Sequence, residues 1–327
     1  MNEVFKMTAK KTEISIGVLL AFFTLLVVAQ VGFSQAKKPV TAAAKFRLVT
    51  IVTQPSAAIW IDGVLFGKAG SDGRLEIKSV SAGAHSIRVR ADGFTEKLQT
   101  LAAAQKGEIK IGLIATTDEA ELAFQEAERL TTSDREKAII AYKNAIKLRP
   151  NYPDAFLALA RTQSDTGDLE EAQRSINAAR KLRPNFAEAT AVEGRILKES
   201  GEEQKAIAAF KRSITEGKGF QPEALTGLGL LYKERAEGSG GAGGFDAERA
   251  NYTESAKYLK LALKQLSGAP DALVIYQLLG LVYERQQKYA EAIATYEEFL
   301  RLFPDSIESS AVQSFIVQLR KQARGEQ

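Results

Sequence analysis

The residue types that most often carry enzymatic or metal chemistry are scarce in this chain. Among 327 residues there is no cysteine and a single histidine, His85. Without thiols there is no disulfide, no thiolate metal ligand, no cysteine nucleophile and no cysteine to carry a lipid. With one imidazole, a structural zinc site would rest on carboxylates, which zinc seldom uses alone. Asp62 and Asp92 invite a reading as paired carboxylates, but each precedes a glycine, and Asp-Gly is a hairpin-turn signal. Glu170-Glu171 and Glu202-Glu203 occupy neighbouring helical positions that face solvent. His85 stands beside a turn at the start of a strand and reads as structural or exposed. No Gly-x-Ser-x-Gly, His-Glu-x-x-His or phosphate-loop motif is present. No catalytic residue, cofactor site or metal site is expected, and the chain is not expected to be an enzyme.

The composition is that of a globular protein of two or three domains, 45% hydrophobic and 26% charged. Its formal charge of +4 is unevenly spread. Residues 37–113 carry a surplus of six positive charges, and residues 114–327 a surplus of three negative ones. The basic residues are dispersed rather than clustered, so nucleic acid is not an expected partner.

At the N-terminus Lys6, Lys10 and Lys11 precede an apolar run from Ile14 to Phe33, followed by Ser34-Gln35-Ala36. Positive, apolar and small residues in that order form a secretory signal. The run is also long enough to cross a bilayer as a helix, which needs ~20 residues. Residues 1–36 are therefore expected to be a cleaved signal peptide or a retained membrane anchor. Either way the remainder is exported to a bacterial envelope, and residues 37–45 form a linker.

Residues 46–114 carry short β-branched runs at Phe46–Thr53 and Ala57–Ile61. Alternating segments follow at Arg74–Val80 and His85–Arg90, and a last run at Glu108–Ile114. The dipeptides Asp62-Gly63, Asp72-Gly73 and Asp92-Gly93 punctuate them. Alternation with one apolar face predicts half-buried strands in an antiparallel sandwich. Trp60 shares a face with Ala58 and Asp62, as half-covered packing or as an exposed aromatic contact. The pieces Pro55-Ser-Ala-Ala-Ile-Trp-Ile-Asp-Gly63, Gly67, Gly83-Ala84-His85, Ile87-x-Val89 and Gly93-Phe94 resemble a PEGA domain, a small β-sandwich of bacterial envelope proteins. The stretch Gly70–Leu75 is equally similar to a carboxypeptidase-regulatory or transthyretin-like module. Both resemblances imply a β-sandwich.

From residue 117 to 325 a different period takes over. Ala138, Ala172 and Ala206 lie 34 residues apart, and each opens a copy of Ala-x3-aromatic/aliphatic-x2-small; Ala292 opens a later copy. Pro150, Pro184 and Pro304 end three of these segments. A fixed period of this length predicts stacked helical hairpins. The units fall at about 118–152, 153–186, 187–220, 222–270 and 273–306, with a capping helix at 307–321. Val312, Phe315, Ile316 and Leu319 of that cap are expected to face inward. A glycine-rich insert at 236–251 lengthens the fourth unit by 17 residues and is expected to be a mobile loop. Gly194, Gly229 and Gly280, with the four alanines, let paired helices approach closely.

These positions resemble the tetratricopeptide repeat, which implies an all-α superhelix of about five hairpins that binds partners on its concave face. In that register Arg161, Arg195, Lys198 and Lys233 fall on the groove-lining first helices. The resemblance implies a basic ladder for an acidic peptide or a terminal carboxylate, or a ladder neutralised by Asp165, Glu199 and Glu234. The whole chain thus reads as multidomain, a small all-β sandwich followed by a helical superhelix. The expected function is a non-enzymatic envelope scaffold that binds protein or peptide partners. The alternative is a module whose basic β domain holds anionic cell-wall polymer or glycan.

Overall fold

A computed structural model describes residues 46–239, 244–266 and 268–325. The signal or anchor segment and the linker that follows it lie outside the described residues. Two three-dimensional patterns follow in sequence, and they are in contact.

The first is a sandwich. One sheet joins β1 (Arg47–Val52), β4 (Arg74–Val80) and β8 (Gly107–Lys110) in the order β4-β1-β8. The other joins β2 (Ala58–Ile61), β3 (Val64–Lys68), β5 (His85–Arg90) and β7 (Lys97–Leu101) in the order β3-β2-β5-β7. A short ladder pairs β6 (Phe94–Thr95) with β9 (Ile114–Ala115). Inward residues of both sheets, among them Val49, Ile51, Ile59, Ile77, Ile87, Val89 and Leu101, form one buried cluster. The period-two pattern of the sequence produces this directly. Asp62 and Gly63 take φ of 51° and 81°, the left-handed pair of a two-residue hairpin turn between β2 and β3. Arg47 is buried at one end of the sandwich. Its guanidinium donates to the carbonyls of Ala102 (2.7 Å), Gln105 (3.0 Å), Gly83 (2.6 Å) and Ala103, so carbonyl oxygens replace its water.

The sandwich is not wholly antiparallel. β8 runs parallel to β1, from Val49↔Gly107 to Val52↔Lys110. The chain crosses between the sheets at residues 102–106 and enters the first sheet alongside β1. Alternation places Ile109 and Ile111 inward in either direction, so the sequence pattern is blind to the sense of pairing.

The second pattern is eleven helices among the described residues. They are α1 (Glu119–Leu130), α2 (Arg135–Leu148), α3 (Pro153–Asp165), α4 (Leu169–Leu182), α5 (Ala187–Glu199), α6 (Glu203–Glu216), α7 (Pro222–Gly238), α8 (Phe245–Leu266), α9 (Ala272–Arg285), α10 (Tyr289–Leu302) and α11 (Ser309–Ala323). Consecutive pairs from α1–α2 to α9–α10 form five hairpins, and α11 covers the last. Asp118 starts α1 by accepting from the amides of Ala120 (2.9 Å) and Glu121 (3.2 Å), and Asp134 starts α2 by accepting from Lys137 N (3.0 Å). Pro153 and Pro222 sit in the first turns of α3 and α7, where no amide partner is lost.

Ala138, Ala172, Ala206 and Ala292 are fully buried in the helix contacts. Glycines on the first helices leave room for large side chains of the second. A Cβ on Gly194 would lie 2.6 Å from Phe210 Cδ1, one on Gly229 2.6 Å from Leu259 Cδ2, and one on Gly280 2.6 Å from Tyr296 Oη. Tyr296 is itself pinned, donating to Glu284 at 2.9 Å. Gly280→Ala should therefore destabilise by about 1–3 kcal/mol from overpacking, partly offset by ~1 kcal/mol of helix propensity. A chemical-denaturation midpoint equal to or above the parent's would refute the clamped-ring account.

The fourth unit differs from its expected form. α7 continues to Gly238 and α8 begins at Phe245, so most of the insert lengthens the two helices. Glycines crowd only residues 238–244. Outside them Ala236 and Tyr252 are buried, and Ala247–Asn251 are compatible with helix. In the cap, Val312, Ile316 and Leu319 are buried, but Phe315 is 48% exposed, its ring 6.2 Å from that of Tyr296.

Candidate interaction groove

The groove is built by the first helices α3, α5, α7 and α9 and, opposite them, by the β2–β3 hairpin of the sandwich. Between them lies a cleft of about 640 Å³. Trp60, Val64 and Leu65 line it from the hairpin, Phe210, Leu230 and Ile275 from the helices, and Phe220 from the α6–α7 connection. Around these apolar walls stand Arg161, Arg195 and Lys198 and the carboxylates Asp62, Glu188, Glu199, Glu223 and Asp271. Burial pushes the Asp271 carboxyl above its ordinary value, and Arg161 opposes that shift.

Three of the four predicted groove cations therefore meet at one cleft; Lys233 lies outside its lining. All four face carboxylates. Arg161 pairs with Glu223, Arg195 with Asp165 (3.4 Å), Lys198 with Glu234 (2.7 Å) and Lys233 with Glu237 (2.8 Å). Arg195 and Lys198 reach the thirteenth-position acids of neighbouring units, while Glu199 accepts from Ser164 Oγ at 2.8 Å. These pairs are partly exposed and contribute little to stability. Their effect is to cancel the positive field of the ladder: the lining carries three cations against five carboxylates.

Trp60 turns toward this cleft. Across the strand pair, the Arg88 guanidinium lies 4.4 Å from its ring centroid. Burial lowers the Arg88 pKa, with Glu96 opposing.

The sandwich meets the helices at two places. At one end Arg90 extends from β5 to pair with Glu128 of α1 (2.6 Å) and with Glu96, and its guanidinium lies 4.7 Å over the Phe124 ring. Burial works against the Arg90 charge, but Glu128 and Glu96 outweigh it and the pKa rises. Beside it Gln125 accepts from Gly93 N and donates to Phe94 O, both at 2.8 Å. At the other end Val64 packs into the buried cluster of α8, α9 and α10, and Ser79 faces Gly268. Of these residues only Gly93 and Phe94 carried a sequence signal, as a turn and as part of the PEGA resemblance.

A second constellation was not visible in the sequence. His85 Nδ1 lies 2.6 Å from the Asp62 carboxylate, and Ser81 Oγ lies 3.4 Å from Nε2. This resembles a nucleophile, base and acid. However, Nε2 lies closer to the carbonyl of Ser81, at 3.0 Å. Nε2 is thus directed at the Ser81 carbonyl, and its 3.4 Å from Ser81 Oγ is outside the range in which a base takes a proton. Asp62 also accepts from Ser86 N at 2.8 Å. The trio fastens the hairpin turn to β5.

Comparison with known proteins agrees with the geometry. Residues 130–196 and 274–306 match the tetratricopeptide repeat. No curated protein sequence matches the chain. The fold is similar to yeast Tom70, at 16% identity and a TM-score of 0.50 over 64% of this chain and 41% of that one. It is also similar to the Cut9–Hcn1 hetero-tetramer of APC/C (15% identity, TM-score 0.49, 63% of this chain and 37% of that one). A thermophilic TPR protein of Thermus thermophilus is a third (18%, 0.46, 61% and 98%). The chain thus spans less than half the length of the first two. Its helices from Glu119 to Ala323 thus form a tetratricopeptide-like superhelix, preceded by a β-rich region at residues 47–115. Among the described residues no helix is long and apolar enough to cross a membrane.

Proposed function

We propose that this chain is a non-catalytic scaffold of the bacterial envelope that recruits a protein partner through the cleft between Trp60 and helices α3, α5, α7 and α9. Tetratricopeptide repeats support a protein-interaction role in general. The envelope assignment rests on the basic-apolar-small order of residues 6–36 and on the resemblance of the β domain to PEGA modules. The observation that carries the proposal is the cleft itself, of ligand-binding size with apolar walls and a rim of paired charges. Because the rim cations are already engaged, affinity comes from the apolar walls and the charges select among partners.

A photo-cross-linking residue at Thr226, which lines the cleft, should capture a defined partner in living cells. Leu230→Asp should reduce that capture about thirtyfold, the loss of one interface hot spot. Equal capture by parent and variant would exclude this cleft as the docking surface. The wall-polymer alternative has weaker support. Arg74, Lys78 and Lys110 of the β4-β1-β8 sheet each lie within ion-pair distance of Glu76 or Glu108. Sedimentation of the full chain with cell-wall material, sensitive to salt, would favour it instead.

A further inference from the structure

Val64 stands on the β2–β3 hairpin but does not belong to the sandwich core. It is 6% exposed, and its buried neighbours form the cluster of Leu266, Ala269, Ala272 and Ile275 in the helical array. Phe66 packs against both clusters. The tip of the β domain thus inserts a side chain into the groove wall as a bound ligand would. Beside the tip Ser79 of β4 faces Gly268, and the other contacts lie at the far end of the sandwich, where Arg90 and Gln125 fasten it to α1. Between these attachments the groove stays open as the 640 Å³ cleft. A permanent domain interface would bring the intervening surfaces together, because apolar area left uncovered contributes nothing. Attachment at a tip and a hinge, with an open middle, is the arrangement of a latch.

On the reading that this groove receives the partner, we propose that the β2–β3 hairpin is a displaceable plug. It occupies the α8–α9 end of the groove in cis, and a partner that uses the full concave face must release it. The few residues between β9 and α1 keep the hairpin close at hand, so it competes at high effective concentration. Partner affinity is then reduced by the fraction of chains in the latched state.

The absence of cysteine makes the opening measurable. With Ile275→Cys as the sole thiol, at a buried position on the cleft wall, a bulky thiol reagent should react through a local opening. Its rate should depend on urea far less steeply than global unfolding does. Adding Val64→Asp should speed the reaction at least about tenfold without moving the unfolding midpoint of the helices. A rate with the full urea dependence of global unfolding overturns the plug.

A second variant does not depend on Val64→Asp folding. A Cβ on Gly268 would lie 3.1 Å from Ser79 Cβ, a few tenths of an ångström inside usual disulfide spacing. Ser79→Cys with Gly268→Cys should therefore lock the latch when oxidised. Partner capture through Thr226 should fall at least about tenfold in the oxidised chain and return on reduction. Equal capture in both redox states overturns the plug. Capture in neither state counts against the groove as the partner surface, while the Ile275→Cys rates still decide whether the hairpin opens.

Discussion

Phe210→Ala is expected to cost about 3–5 kcal/mol of unfolding free energy, at the upper end of that range. Phe210 is 1% exposed and lies on α6 between two glycines. A Cβ on Gly194 of α5 or on Gly227 of α7 would come within 2.6 Å of its ring carbons. The ring fills space that glycines on both sides leave vacant. Removing it creates a cavity that the two glycines, having no side chains, cannot refill, and limited relaxation is what makes such cavities expensive. The position also lies between the second and fourth hairpins, so it couples the two halves of the array. Repeat arrays are held together by nearest-neighbour interfaces, and weakening one of them divides the unfolding transition. Guanidinium denaturation followed by helix circular dichroism should show a lower first midpoint and a second phase. Phe210→Leu should lose less than about 1.5 kcal/mol, and Ile140→Ala, at a 67% exposed site, less than about 0.5. A single transition displaced by less than about 1 kcal/mol for Phe210→Ala would contradict the argument.

The second large effect concerns Arg90. Arg90→Ala removes the cation between Glu96 and Glu128 and the guanidinium over Phe124. Breaking one side of a buried pair costs about 3–5 kcal/mol. The Glu128 side chain is 35% exposed, so solvent reduces the expected loss to about 2–3 kcal/mol. The loss should depend on pH in a definite direction. Burial raises the Glu128 carboxyl above its ordinary 4.5, with Arg90 opposing. Above that value the folded state holds more proton on Glu128 than the unfolded state does, so its contribution to stability falls as pH rises. Without Arg90 only the Arg88 charge still opposes the effect of burial, and the dependence steepens. The gap between Arg90→Ala and the parent should therefore be narrower near pH ~5 than near pH ~7.5. Urea titrations at the two pH values decide it, and a gap that widens on acidification would show that Glu128 is not the group left exposed to burial.

The hairpin period was legible because Ala138, Ala172 and Ala206 must be small wherever paired helices meet, and that steric requirement recurs with the repeat. The turns were legible because Asp62-Gly63 supplies the two left-handed conformations a two-residue hairpin needs. The direction of β8 was not, since inward residues alternate identically in parallel and antiparallel strands. The helical part of the insert was not legible, because the glycines at 238–244 interrupt the pattern that would join Ala247–Asn251 to a helix. The contact between β domain and groove was illegible for a different reason. Val64 and Arg90 look like any strand residue after a turn or on an outward face, and only the third dimension brings Leu266 or Glu128 to them. The groove cations were placed by their repeat positions, and so was Glu234 as a neutralising acid, but Glu223 lies two units on from Arg161 and could be paired with it only in space.

The parallel pairing of β1 with β8 has a mechanical consequence. The chain enters the first sheet at the start of β1 and leaves it after β8, with only the two-residue β6–β9 ladder following before α1. Tension applied through those two exits pulls adjacent parallel strands in opposite directions along their length. All four pairs from Val49↔Gly107 to Val52↔Lys110 then bear load at once, in shear, instead of parting one after another as at the end of a hairpin. A protein held at its N-terminal side and pulled through its repeats would meet its greatest resistance in this ladder, so the β domain can serve as a force-bearing coupling as well as a spacer.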